Sequence, residues 1–280
     1  MALKFSIITC TWNSAAWLDA CIASVLGQQY PEIEMIFVDG GSDDGTLDKI
    51  RALPRRYRLL ENVRGGISCA MNEGLRVATG DVVAYLHSDD YYLRSDVLSL
   101  VARHLEQSRR GWLFGRVVND LGGRWHAEGY RAPRFSRQTL LARNFIPHPA
   151  TFVRRELLNR VRGFDPNLRY AMDYDLWLKL ARIGRPCQLD LPLAAFRVHD
   201  GSLSTRDRLP AMEEDFQVRL RHTGDHPAAR SLHRLRYLVR RNQAQQAVAE
   251  AAAAAARTAA RTAARASAAR ASAAAARAKR

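Results

Sequence analysis

The sequence predicts an α/β fold: a Rossmann-like, mostly parallel central sheet flanked by helices, with a basic helical C-terminal extension. Short β-branched apolar runs alternate with single helical stretches, the pattern of parallel strands joined by right-handed crossovers. Acidic residues follow two of the runs, Asp39 after Val38 and the pair Asp89-Asp90 after the run 82–86. In open α/β sheets this strand-end edge is where ligands bind.

The first strand covers 5–9, apolar and β-branched, and Asn13 and Ser14 can cap the helix behind it. In that helix Leu18, Cys21, Ile22, Val25 and Leu26 form one stripe that stops near Gly27. A second strand spans 35–38, and a short helix over 47–53 follows a turn rich in Gly, Asp and Ser. A helix over 67–78 and the turn Gly80-Asp81 lead into the strand 82–86. Ser95-Asp96 caps a helix with Val97, Leu98, Val101 and Leu105 inward, and strand character resumes over 112–118. The segment 119–137 reads as a hairpin or loop over the sheet. A strand at 150–153, helices at 155–161 and 173–183 and a turn at 163–166 complete the body, which closes near Ser204. Trp17, Phe164 and Trp177 read as core aromatics.

Three segments follow: a catalytic-sized domain over 1–210, a basic amphipathic helical segment over 211–246 and an Ala/Arg-rich tail over 247–280. The 280 residues are 47% hydrophobic, enough for a packed core. The net charge of +15 is unevenly spread: the last 60 residues hold 13 of the 43 Lys and Arg but only 2 of the 28 acidic residues. Near Leu232, Leu235, Leu238 and Val239 stand Arg234, Arg236, Arg240 and Arg241, which suits an anionic lipid surface or a solvated helix. No apolar run approaches the roughly 18 residues of a membrane span, and no secretory leader pattern opens the chain. The expected location is cytoplasmic, with the basic segment offering peripheral attachment to the inner face of the plasma membrane. Cys10, Cys21, Cys69 and Cys187 make no C-x-x-C pair, so zinc and dithiol chemistry lack their usual signal.

Carboxylates gathered at strand ends suit a hard divalent cation such as Mn²⁺ or Mg²⁺, which would neutralise a diphosphate. Each of Asp39 and Asp89 could equally be a turn former or helix cap. Neither G-x-G-x-x-G at the first helix nor a P-loop motif occurs, which removes the signals of dinucleotide redox and P-loop chemistry. Asp173 opens a helix and shares the inward face of Trp177 and Leu180, while Asp175 points elsewhere; an inward carboxylate there is either an N-cap or a base.

In order and spacing, six segments between residues 4 and 204 resemble the family 2 glycosyltransferases with the GT-A fold. They are SIITCTWNS from Ser6, VDGGSDDGT from Val38, AMNEGLRVATGDVVAYLHSDD from Ala70, HPATFVRRELLNRVRGFDP from His148, AMDYDLWLKL from Ala171 and FRVHDGSLS from Phe196. The pattern is most similar to bacterial enzymes of O-antigen and other surface polysaccharides. The resemblance implies that Asp39, with Thr9, Thr11 and Trp12, binds the nucleotide, that Asp89 and His199 hold the metal, and that Asp173 is the catalytic base. It further implies Asp90, His148 and Arg197 as diphosphate or acceptor contacts. Three positions depart from the family: His87 replaces the first Asp of D-x-D, Gly40 a second Asp, and Met172 the Glu before the base.

The implied reaction is inverting transfer of a sugar from a nucleoside diphosphate sugar, UDP- or dTDP-linked, to a hydroxyl of a glycan or lipid-linked acceptor. The rivals are a nucleic-acid-binding protein acting through the basic tail, against which the body offers no recognition helix or stacking platform, and a metal-dependent nucleotidyltransferase.

Overall fold

A computed structural model describes residues 2–54, 56–127, 132–199, 207–248, 250 and 258. Nine strands form one mixed sheet in the order β3-β2-β1-β4-β8-β6-β9-β5, with β7 paired to β6. The strands are β1 Phe5–Thr11, β2 Ile33–Asp39, β3 Tyr57–Leu60, β4 Val82–Tyr85, β5 Tyr91–Tyr92, β6 Trp112–Leu121, β7 Arg124–Ala127, β8 Thr151–Arg154 and β9 Cys187–Arg197. The strands β3-β2-β1-β4 are parallel, which matches the expectation for β1, β2 and β4; beyond β4 the sheet turns antiparallel through β8, with β6 and β9 again parallel.

Among the described residues eight helices belong with it: α1 Leu18–Leu26, α2 Thr46–Arg51, α3 Ile67–Val77, α4 Val97–Ser108, α5 Arg137–Ala142, α6 Arg155–Arg160, α7 Met172–Ile183 and α8 Arg208–Thr223. Alternation along β1 divides the core. Ile7 faces a cluster with Leu18 and Ile22 of α1 and Leu98 and Val101 of α4, while Ile8 faces one with Met71 and Leu75 of α3 and Trp177 and Leu178 of α7. The α3 helix lies so close on the sheet that a Cβ at Gly74 would stand 2.5 Å from Ile8 Cγ2.

Register decides where the chemistry goes. Thr11 is opposite Asp39, Ile8 is opposite Tyr85, and the Leu86 amide continues the ladder to the Ile8 carbonyl at 3.0 Å. The carboxyl ends of β1, β2 and β4 therefore finish together, and residues 11–14, 39–42 and 86–90 share one edge.

The compositional change at 210 falls inside α8, and the first compact unit runs from Met1 to Asp225. Phe216, Val218, Arg219 and His222 of α8 are buried, and Arg219 pairs with Asp215. The second unit begins at His226. Its residues 227–248 are helical, with Leu232, Leu235, Leu238 and Val239 exposed. Residues 200–206 and nearly all of the Ala/Arg tail, 249 and 251–257 and 259–280, lie outside the described residues. No helix among the described residues is long and apolar enough to cross a membrane.

Candidate active site

The Asp39 side chain is fully buried at the end of β2, and each of its lone-pair positions is taken. Oδ1 accepts the Gly41 and Ser42 amides, both at 2.8 Å; Oδ2 accepts the Thr11 hydroxyl at 2.7 Å and the Ser42 hydroxyl at 2.6 Å. Burial raises its pKa, but these bonds outweigh it and hold the carboxyl below its usual range. Asp39 thus shapes the loop that a nucleoside would meet. That loop needs glycine at 41, where φ is +93° and a Cβ would press 2.6 Å from Arg64 Nη2. Trp12 is 70% exposed beside it, while Thr9 is buried, its hydroxyl 4.0 Å from Cys21 Sγ of α1.

Ser88 donates to Ser14 at 2.9 Å, tying the β4 end to the loop after β1. Beyond it, Asp89 Oδ2 lies 3.1 Å from His199 Nε2, and the His199 ring stacks on Trp17 at 4.8 Å. Trp17 is thereby a half-open platform rather than the core aromatic its sequence context suggests. The Arg197 guanidinium sits between the Trp17 and Tyr91 rings at 5.1 and 5.2 Å, with Nε 3.3 Å from Asp120. It presents a cation one residue from Val198 and two from His199. Asp90 faces inward: it is buried, it accepts the Arg197 amide at 3.2 Å, and burial together with the Asp89 charge pushes its carboxyl well up. Asp89 and His199 pair a carboxylate oxygen with an imidazole nitrogen, a set that suits Mn²⁺ better than Mg²⁺; no third His, Cys, Asp or Glu joins them among the described residues.

On the other flank His87 stacks on His148 at 4.8 Å. His148 in turn meets Tyr85 at 5.8 Å, Trp177 at 5.9 Å and Phe164 at 6.1 Å. Four polar atoms here are buried without a partner: Tyr85 Oη, His87 Nδ1, His148 Nε2 and Trp177 Nε1. Buried polar groups are nearly always hydrogen-bonded, so four such orphans on rings that share His148 set this place apart. Asn72 of α3 fixes the neighbourhood: its amide donates to the Phe164 carbonyl and accepts the Phe164 N–H, both at 2.9 Å.

Asp173 stands in the first turn of α7, one turn before Trp177. Burial, with a further push from the Asp215 charge, raises its carboxyl to about 7 against the Tyr174 amide and the Asn144 side chain, which stabilise the anion. Asp175, which the helical wheel turns away, is not left to solvent: it is buried, 2.8 Å from His222 Nε2 and 2.7 Å from Lys179 Nζ.

Thr11 thus bonds Asp39, Asp89 meets His199, and His148 joins His87 to Trp177 of the helix that Asp173 opens, while Thr9 and Asp90 are buried. Tyr85 and Arg64 escape a sequence reading because their value lies in which neighbours they lack or touch. The exposed Trp17 carries a legible signal: an aromatic ahead of the first apolar position of α1.

A family model described as Glycosyl transferase family 2 matches residues 6–162, more than half of the chain. The chain is 31% identical over 186 residues to a chondroitin synthase of Pasteurella multocida, a match covering 64% of this chain and 19% of that protein. It is 33% identical over 180 residues to a PGL/p-HBAD biosynthesis glycosyltransferase of Mycobacterium bovis, covering 62% of this chain and 68% of that one. Among solved structures, the mannosyltransferase PcManGT of Pyrobaculum calidifontis, in complex with GDP-Man and Mn²⁺, superposes with a TM-score of 0.66 at 22% identity, covering 90% of this chain and 76% of that one.

Proposed function

This chain belongs to glycosyl transferase family 2, with a GT-A fold, and on that ground we propose that it moves a sugar, with inversion, from a nucleoside diphosphate sugar to a hydroxyl of a growing glycan. The observation that carries the reading is the stacked ring cluster of His87, His148 and Trp177, whose own chain segments hold two unlike carboxylates. Asp89, paired with His199, follows His87 by two residues, and Asp173 precedes Trp177 by one helical turn; His148 stacks on His87 and packs against Trp177. An anomeric carbon seated at the ring cluster would have its leaving diphosphate towards Asp89 and its attacking oxygen towards Asp173.

In this scheme Asp173 accepts the proton of the acceptor hydroxyl as that oxygen bonds to the anomeric carbon and the carbon–oxygen bond to the diphosphate breaks. A carboxyl near 7 is well matched to that task at neutral pH. Arg197 faces the departing phosphates, and a divalent cation held by Asp89 and His199 supplies further neutralisation of their charge when bound. Asp39 acts through the loop it builds, so the nucleoside lies against Trp12 and residues 40–42. The four unpartnered atoms of Tyr85, His87, His148 and Trp177 bind hydroxyls of the transferred sugar.

Two features support an acceptor at a membrane surface. The relatives include a protein named for PGL/p-HBAD biosynthesis and one named chondroitin synthase, and the second unit carries an exposed leucine row beside arginines. We read this as a peripheral enzyme of surface polysaccharide or glycolipid assembly at the cytoplasmic face.

The test is nucleoside diphosphate release from a panel of UDP-, dTDP- and GDP-sugars with Mn²⁺, using water or simple alkyl glycosides as acceptor. Wild type should release the diphosphate from at least one donor, and Asp89→Ala and Asp173→Asn should each lose about 10²-fold or more. Release of pyrophosphate instead, or near wild-type rates in both variants, would overturn the assignment.

A further inference from the structure

The α8 helix lies beyond the matched segment 6–162, yet its polar contacts concentrate on α7 and the turn that enters it. Glu214 Oε1 accepts three successive backbone amides, Arg169 at 3.0 Å, Tyr170 at 2.6 Å and Ala171 at 2.7 Å, while Oε2 accepts Arg169 at 3.1 Å. The α7 N-cap, Ala171, has no side chain able to do this, and none from its own segment does so. One residue further, Asp215 pairs with Arg219 at 2.5 Å, and Arg219 Nε donates to the Tyr174 hydroxyl at 3.3 Å. A turn later, His222 meets Asp175 at 2.8 Å. Tyr174 and Asp175 are the two residues after Asp173.

We propose that Glu214 is a positioning residue for transfer: its carboxylate clasps residues 169–171 so that the first turn of α7 presents Asp173 in one fixed orientation. This rests on the reading of Asp173 as the base. The physical case is that the catalytic carboxylate sits two residues beyond the clasp, where any rotation of the helix start swings it directly. Removing a carboxylate that receives three N–H groups frees that turn. A misplacement of about 1 Å at a reacting group costs on the order of 10²-fold in rate. Around Asp173 the same arrangement sets the electrostatics: Asp215 from α8 adds negative charge, and Asn144 from the loop after α5 supplies a hydrogen bond.

The full-length chain is tested by UDP or GDP release from UDP-glucose, UDP-N-acetylglucosamine and GDP-mannose with Mn²⁺. Glu214→Ala should lower kcat by about 10- to 100-fold with donor KM within about twofold, and Glu214→Gln, which keeps an acceptor oxygen, should recover most of the loss. The decisive arm is the double variant. If Glu214 acts through Asp173, adding Glu214→Ala to Asp173→Asn produces no further fall, whereas a general loss of folding multiplies the two defects. Unchanged kcat in Glu214→Ala, or a fully multiplicative double variant, overturns the positioning role while leaving the base assignment intact. Wild-type turnover in Asp173→Asn alone overturns both.

Discussion

Lowering the pH from 8 to 6 is expected to reduce kcat about tenfold, and the origin of that slope is the surroundings of one carboxyl. Asp173 is pushed up to about 7 chiefly by burial, with the Asp215 charge adding to it. A base must be ionised, so a one-proton group with that midpoint is about 91% active at pH 8 and about 9% at pH 6. A carboxyl at its ordinary value near 3.9 would leave the same interval flat. The assay is initial-rate release of the nucleoside diphosphate at saturating donor from pH 5.5 to 8.5, with nucleotide binding measured at each pH. Asp173→Asn should lose about 10² to 10⁴ in rate and also lose the acidic limb. A flat wild-type profile would refute both the burial argument and the role. The stability corollary runs the other way. Because the folded-state pKa lies above the unfolded one, the contribution to stability is present at low pH and lost as the pH rises towards about 7. Asp173→Asn, neutral throughout, should therefore melt a few degrees above wild type at pH 8 and level with it at pH 4.

Asn72→Ala strips both hydrogen bonds from the Phe164 backbone and should destabilise the chain by about 2–4 kcal/mol in urea unfolding, since two buried backbone groups lose their partner. Tyr85→Phe removes one of the four orphan atoms; KM for the nucleotide sugar should rise about 3- to 10-fold while the Kd of the bare nucleoside diphosphate stays unchanged by calorimetry. Truncation before residue 226 should abolish sedimentation with vesicles containing anionic lipid, and replacing Leu232, Leu235 and Leu238 with Ser should do so with the arginines intact. Equal sedimentation with and without these residues would remove the membrane reading.

Strand ends were the most legible part of this chain. Strand β2 runs straight into Asp39 and strand β4 leads within a few residues to Asp89, and parallel connectivity alone brings such ends together. The helix of Asp173 was equally plain from its stripe of Trp177 and Leu180. Strands β3, β5 and β9 were not legible. Tyr57–Leu60 has no alternation, Tyr91–Tyr92 is two residues long, and Cys187–Arg197 carries Pro192 and polar residues between apolar ones. Their pairing is a consequence of the sheet already being there.

Sequence by itself determined which residue types stand at the carboxyl ends of the strands, because backbone connectivity and apolar periodicity are local properties. The tertiary structure alone decided what each could do there. It filled every acceptor position of Asp39, turned Asp90 inward, set Trp17 under His199, and brought α8 back to grip the helix of Asp173. Hydrogen-bond saturation and desolvation depend on atoms tens of residues away, and no local pattern carries them.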